Sequence, residues 1–375
     1  MAMSIRKLCK PNIGLINNLF SKTQVLSGAR FIYSEKSLGV TSYEHTRFLF
    51  RNQFIAIEDT FRSKMEDVSN KEGGVIFTED IKAMLHLAQK ADSAVVNKMI
   101  EKYVQCDQTM KFGTYTFGPI VMRMYYYLND PHAALAVFKN PVLEEFFLQK
   151  TSYQILMTLL YNNKMYQEVK DVYEHILNAE NRHGLSKFCL VGAMVACYKQ
   201  NTPEALEDAL RYWKSLKTYG YYPSTRSTTL LAALALHQGS VQMALEILAT
   251  LDRQHFIDCR CLKVLAFIRL KKFVQIIPII RHVLESDYSN RKLTFYADVI
   301  YALEESLKEE NSKESLELQQ LIIQLKQEER LTSHITLDES LLKPIHFQTR
   351  SDREKLKDNS NMQDSNNRIS GRSQI

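Results

Sequence analysis

The six cysteines, Cys9, Cys106, Cys189, Cys197, Cys259 and Cys261, are the first residues whose type could carry chemistry. They form no Cys-x-x-Cys pair and stand near no cluster of histidines. Their spacing therefore supports neither a zinc site nor a disulfide framework. Thiols buried in a reducing compartment are the expected reading. No Gly-rich phosphate loop ending in Lys-Ser/Thr occurs, nor H-E-x-x-H, nor G-x-S-x-G. No acidic cluster suggests a two-metal nuclease. The chemistry left is recognition rather than catalysis, with no metal and no cofactor expected. Lys271, Lys272, Arg281 and Lys292 are of a type that contacts phosphates, although each alone reads as a solvated face. Tyr125-Tyr126-Tyr127 and Tyr219, Tyr221 and Tyr222 are of a type that stacks on bases. At helical spacing such rings more often fill a core.

Any recognition residues must be held by helices. Only 12 Gly and 8 Pro in 375 residues suit a helix-rich chain rather than a turn-rich β protein. The clearest stretch runs from Ala209 to Asp258. Gly220 stops one helix and Pro223 prevents its resumption. The next helix is expected over about 225–237, packed with Leu230, Leu231, Ala232, Leu234 and Ala235. Gly239 ends it, and Ser240 is placed to cap a helix with Val241, Ala244, Leu245, Leu248 and Leu251 on one stripe. Helical pairs are expected to begin at Thr78, Thr114, Thr151, Lys187, Thr225, Cys259 and Arg291. That spacing of about 35 residues fits helix-turn-helix repeats, none of which can bury its apolar face alone. NTPEALED at 201–208 reads as an extra stretch, and Pro278 is expected to kink a second helix. Residues 43–66 read as one long helix with Phe48, Leu49, Phe54, Ile55, Ile57, Phe61 and Met65 inward. Residues 303–331 read as a charged helix carrying Leu316, Leu318, Leu321, Ile322 and Leu325.

Charge locates the ends. Residues 1–34 hold Arg6, Lys7, Lys10, Lys22 and Arg30 and no acidic residue, which is the composition of a mitochondrial transit peptide. The rest of the chain balances 43 basic against 42 acidic residues, so bulk charge does not argue for nucleic acid. No apolar run approaches the ~18 residues that span a bilayer. The expected organisation is a transit peptide over 1–34, then a capping helix and turn over 43–77. A helical-hairpin array over 78–302 follows, clearest at 151–186, 187–224 and 225–258. A C-terminal capping helix and extension over 303–347 and a disordered polar tail over 348–375 complete it.

The run WKSLKTYGYYPS, with MALEIL after the following Gly turn, resembles the end and the middle of the second helix of a pentatricopeptide repeat. The resemblance is specific over 209–258, fair over 151–186, and elsewhere rests on spacing. It implies an all-α, right-handed α-solenoid of helix-turn-helix repeats whose first helices line a groove for single-stranded RNA. In such arrays a residue near the start of the first helix and one in the closing loop flank a base. The family's motif falls on Thr229 and Asp258 for the repeat at 225. Gln154, Ser224 and Lys263 are weaker counterparts. A carboxylate accepts from adjacent N–H groups such as guanine offers, and the family's Thr–Asp pairing likewise implies guanine. The competing account of Asp258 is an N-cap of the next helix, and that of Thr229 an exposed helix residue. The implied role is a non-enzymatic RNA-binding protein of the mitochondrial matrix that assists maturation or stability of transcripts, alone or beside a nuclease. Respiration would depend on it indirectly. Rival readings are a tetratricopeptide-like protein scaffold, whose repeats run ~34 residues, or a non-catalytic subunit of a processing complex.

Overall fold

The computed structural model describes residues 32–105, 115–179, 185–252, 256–288, 291–308, 310 and 312–345. The expected transit peptide, apart from its last three residues, lies outside the described residues, as do the polar tail and Thr114. The protein is an all-α helical-repeat solenoid. After a short helix α1 (Glu35–Leu38), eight helical hairpins follow among the described residues. They are α2 (Val40–Phe54) with α3 (Glu58–Asn70), α4 (Thr78–Leu87) with α5 (Ser93–Gln105), α6 (Gly118–Leu128) with α7 (Pro131–Phe138), and α8 (Lys150–Asn162) with α9 (Tyr166–Asn178). Then come α10 (Lys187–Gln200) with α11 (Pro203–Thr218), α12 (Thr225–His237) with α13 (Val241–Ala249), α14 (Ile257–Arg269) with α15 (Ile277–Glu285), and α16 (Ala297–Leu307) with α17 (Lys313–Gln327). A last short helix, α18 (Leu337–Leu341), closes the described chain.

The two helices of each hairpin differ in sequence because they differ in position. First helices stack on one another in a row, from α6 on α8 through to α14 on α16, and each also meets second helices. They are therefore apolar nearly all round. Every residue from Cys189 to Tyr198 of α10 and from Ser227 to Leu236 of α12 is buried. Second helices have a single dry face: α11 buries Ala205, Leu206, Ala209, Tyr212, Trp213 and Leu216, at the spacing of one stripe. Their outer faces are linked by polar contacts. The Lys170 ammonium lies 2.8 Å from Asp208, and Glu174 accepts from both Arg211 (2.6 Å) and Tyr212 (2.7 Å).

The turn within a hairpin recurs. Asn129, Lys164, Asn201, Gly239 and Lys271 all take a left-handed conformation just after a first helix. It reverses the chain while the released N–H groups bond the last carbonyls. Amides join neighbouring turns: Asn163 donates to Asn129 (2.9 Å) and Gln238 to Asn201 (2.7 Å). Side-chain caps start several helices, with Ser186, Thr202, Ser224 and Ser312 each accepting a backbone N–H from three residues on.

Several expectations need correction. The single helix expected over 43–66 is the hairpin α2–α3, broken at Ile55–Ile57. Phe48, Leu49, Ile55 and Ile57 are exposed in this hairpin, the first of the row among the described residues. NTPEALED is no insertion: Asn201 is the turn, Thr202 the cap, and Pro203 the first residue of a long α11. Pro278 kinks nothing, since it sits in the first turn of α15, where its missing N–H costs no helical bond. The charged helix over 303–331 is parts of two helices, α16 and α17, and Leu316 is exposed. First helices expected at Thr151, Cys259 and Arg291 begin at Lys150, Ile257 and Ala297. Residues 291–296 instead form short strands, β2 (Arg291–Lys292) paired with β1 (Asp287–Tyr288) and β3 (Phe295–Tyr296) paired in parallel with β4 (Leu331–Thr332).

One buried histidine makes stability depend on pH. His86 is sandwiched between Phe50 (4.8 Å) and Tyr43 (5.1 Å), and its Nδ1 bonds the Lys82 carbonyl at 2.7 Å. Burial lowers its pKa; the Lys82 bond opposes this, and the Arg47 guanidinium adds to it. The neutral ring is thus favoured by folding. Stability is complete above the unfolded value of about 6.5 and is lost as pH falls below it, because the unfolded chain takes up a proton that the native ring resists. Urea midpoints are expected to fall between pH 7 and pH 5. In His86→Phe, which keeps the ring stack, that slope is expected to flatten.

Candidate nucleic-acid interface

The first helices α12 and α14 share a face on which α18 packs. The second residue of three successive first helices marks one edge of it: Arg226 in α12, Asp258 in α14 and Asp298 in α16. The other edge carries side chains from the last turns, Tyr198 in α10, His237 in α12 and Arg269 in α14. The wall carries charges of both signs, Arg226 and Arg269 beside Asp258 and Asp298.

The wall is engaged by the last described residues, 337–345, and these pair with the first, 32–34. After β4 the chain turns into α18, which packs on α12 and α14. The Leu337 N–H donates to Asp298 (3.0 Å), and Tyr198 donates to Asp338 (2.7 Å). Ser340 donates to Asp258 (2.9 Å), and Arg226 donates to the carbonyls of Leu341 (2.8 Å) and Lys343. Tyr296 also meets the Asp258 carboxylate, at 2.8 Å. A cavity of about 170 Å³ remains between α18 and the wall, with Tyr198, His237, Arg269 and Asp338 among its lining. The N-terminal residues join from the other side. Ser34 N–H donates to the Ile345 carbonyl (3.0 Å), and Ile345 N–H to that of Ile32 (2.9 Å). Tyr33 is fully buried and donates to the Phe188 carbonyl.

This enclosure perturbs the wall's charged groups. Burial lowers the pKa of Arg226, against the raising effect of Asp258 and nearby tyrosines. Burial, then the Arg269 charge, lowers that of His237. Tyr198 is pushed up by burial and by its bond to the Asp338 carboxylate.

Of the five residues expected to meet bases, Asp258 has its side chain among the polar contacts of this wall. It is not the N-cap of α14, a position held by Phe256. Thr229 is 1% exposed and its hydroxyl donates to the Arg226 carbonyl in its own helix (3.1 Å), so it is not the exposed residue of the competing account. Ser224 is the cap of α12, with its hydroxyl oxygen accepting from the Ser227 N–H (3.2 Å). Gln154 is buried in α8, and Lys263 is half-buried in α14. The structure thus does not bring the five together. Arg226, Asp298 and Tyr198 were missed. A signal existed: Arg226 and Asp298 hold the same helix position as Asp258.

The tyrosine and lysine runs also resolve. Tyr125 is fully buried and donates to Asn97, whereas Tyr127 is 43% exposed with Arg47 4.7 Å from its ring. Tyr222 is 85% exposed. Lys271 and Arg281 face Glu310 and Glu317, and Lys292 reaches the Glu328 carbonyl (3.4 Å). Cys189, Cys197, Cys259 and Cys261 are buried free thiols, and burial raises the pKa of each. Among the described residues no group of His, Cys, Asp and Glu could hold a metal ion, and no helix is long and apolar enough to cross a membrane.

Comparison with known proteins gives one consistent likeness. The chain is 25% identical over 289 residues to pentatricopeptide repeat-containing protein 2, mitochondrial, of Mus musculus, covering 76% of this chain and 74% of that protein. It is 22% identical over 313 residues to the protein of that name from Pongo abelii, covering 82% and 80%. The Homo sapiens protein is 23% identical over 288 residues, covering 76% and 73%. No family model and no solved structure matches the chain. The relatives are all named as mitochondrial, and the likeness assigns this chain to the same organelle.

Proposed function

We propose that this solenoid, similar to pentatricopeptide repeat-containing protein 2, binds single-stranded RNA in the mitochondrial matrix and assists maturation or stability of transcripts without chemistry of its own. The observation that carries the reading is the row of first helices whose second residues, Arg226, Asp258 and Asp298, stand at successive repeats along one edge of the wall. Helical repeats can read one base per unit through such side chains. Arg226 suits a phosphate, and the Asp258 carboxylate suits the adjacent N–H donors of guanine. Thr229 acts from behind, through the Arg226 carbonyl. Gln154 and Lys263, at the helix position of their units, and Ser224, in the loop before Thr225, are the weaker base-contact candidates of the same reading. A processing nuclease would be a separate partner, and loss of transcripts would impair respiration indirectly.

Crosslinking in isolated mitochondria, with sequencing of the bound RNA, tests this directly. Enrichment of a defined transcript set supports it; recovery no greater than for an unrelated matrix protein rejects it. Within that reading, Asp258→Ala is expected to reduce the preference for guanine over adenine about tenfold, the scale of one good side-chain–base pairing. Titration of paired oligonucleotides differing at one base measures it, and unchanged discrimination would remove Asp258 from the assignment.

A second reading, a scaffold that binds peptide segments, is favoured by one observation. The wall carries mixed charge and already holds a peptide, the chain's own residues 337–345. Pull-down of proteins without RNA under the same conditions would favour it.

A further inference from the structure

We infer that residues 336–345 are an intramolecular competitor for RNA on the wall of first helices, so that RNA binds only when this segment leaves. This rests on the RNA-binding reading above and deepens it.

The segment makes with the wall the kinds of bond that a nucleotide strand would make. The Leu341 and Lys343 carbonyl oxygens accept from the Arg226 guanidinium, as phosphate oxygens would. Ser340 donates to the Asp258 carboxylate, as a base N–H would. Asp338 supplies an anionic acceptor to Tyr198. The three contacts fall on the neighbouring first helices α10, α12 and α14, and a strand reading those repeats would need the same atoms. Segment and RNA cannot both hold them.

The segment is also built to leave. Helix α18 has five residues, far fewer than an isolated helix needs to persist in water. Its order comes from its capping box at Thr336 and Glu339, from Leu337 and Leu341 buried on the wall, and from the polar bonds above. Beyond it, the described chain is held by the Arg226 bond to the Lys343 carbonyl and by a parallel bridge from Ile345 to Tyr33. Helices α12, α14 and α16 are stacked on one another and on second helices independently of α18. A closed state that competes with ligand lowers apparent affinity by the fraction of molecules open.

The test compares the full chain with a chain ending at Ser333, which keeps the β3–β4 pairing, and with full-length L337A/L341A. Each is titrated with single-stranded RNA oligonucleotides of about 20 nucleotides, long enough to cross several repeats, with circular dichroism confirming helicity. Both altered chains are expected to bind at least tenfold tighter than the full chain. A synthetic peptide of residues 334–345 is expected to reverse the gain. In the full chain, amide exchange across 337–345 is expected to speed up when RNA is added. If the shortened chain does not fold, L337A/L341A carries the comparison. Equal affinity of all forms, with 337–345 still protected in the RNA complex, would overturn the inference while leaving RNA binding intact. No RNA binding by any form, including the opened ones, would instead overturn the RNA reading itself. Capture of peptides but not RNA by the opened wall would do the same in favour of the scaffold.

Discussion

Gly118→Ala is expected to destabilise the protein by about 3 kcal/mol, the upper end of the usual cost of overfilling a packed site. Gly118 opens α6 beneath the 3-10 turn at Pro141–Phe147. A methyl group there would collide with the Phe146 backbone carbonyl and crowd the side-chain oxygens of Gln149 and Ser152. A backbone carbonyl in a packed turn cannot swing aside, so the helix start or the turn must move. Gly192, midway along α10, is the control. A methyl there would meet the end of Met157, with Cε at 2.8 Å, and a thioether chain can change rotamer. Alanine also favours the helix over glycine by about 1 kcal/mol. Gly192→Ala is therefore expected to be near neutral. Urea titrations of the two variants beside the parent decide it; equal midpoints for both would refute the packing argument at Gly118.

Tyr33→Ala is expected to cost about 4 kcal/mol, the range for removing a large buried aromatic. Tyr33 is fully buried on α10, and its hydroxyl donates to the Phe188 carbonyl. Its neighbours hold the first and last described segments to the array: the backbone pairs with Ile345, and Arg123 bonds the Leu38 carbonyl (2.8 Å) just beyond. Tyr33→Phe keeps the ring and loses one hydrogen bond, for about 1–2 kcal/mol. The two variants separate packing from polar anchoring. Protease digestion adds a second measurement, since cleavage within 333–345 should rise sharply in Tyr33→Ala and only slightly in Tyr33→Phe. A Tyr33→Ala chain with parental stability and parental digestion would show that this end does not secure the array.

The wall of first helices gives the recognition argument its shape. The Asp258 charge opposes the lowering of the Arg226 pKa by burial, and both side chains bind atoms of residues 340–343. Asp258→Ala thus removes one anchor of the segment as well as a candidate base contact. That is why its test is discrimination between two bases rather than affinity. A loosened segment changes affinity for both oligonucleotides alike.

The array itself was legible in the chain. Gly220, Pro223 and Gly239 punctuate the helices that surround them, and the apolar run of α12 against the single stripe of α11 distinguishes first from second helices. These signals are local: a turn needs its own left-handed residue, and a helix shows its burial in its own pattern. The likeness carried by WKSLKTYGYYPS pointed to the same repeat. Where two patterns overlapped, local reading failed. The break at Ile55–Ile57 looked like continuing helix because every residue around it is compatible with one, and Pro278 looked like an interruption because the 3-10 turn at Phe273–Gln275, which precedes α15, is invisible in the sequence. The site was legible only in part. Asp258 was found through the repeat motif, but the burial of Thr229 depends on which helices flank α12. The meeting of Ser340 with Asp258, and of Ile345 with Tyr33, depends on where the chain's two ends return. Sequence alone determined a stack of helical pairs, since periodicity and turn chemistry act over a few residues. Only the tertiary structure decided what covers the stack's open wall, because that contact joins residues far apart in the chain and leaves no period to read.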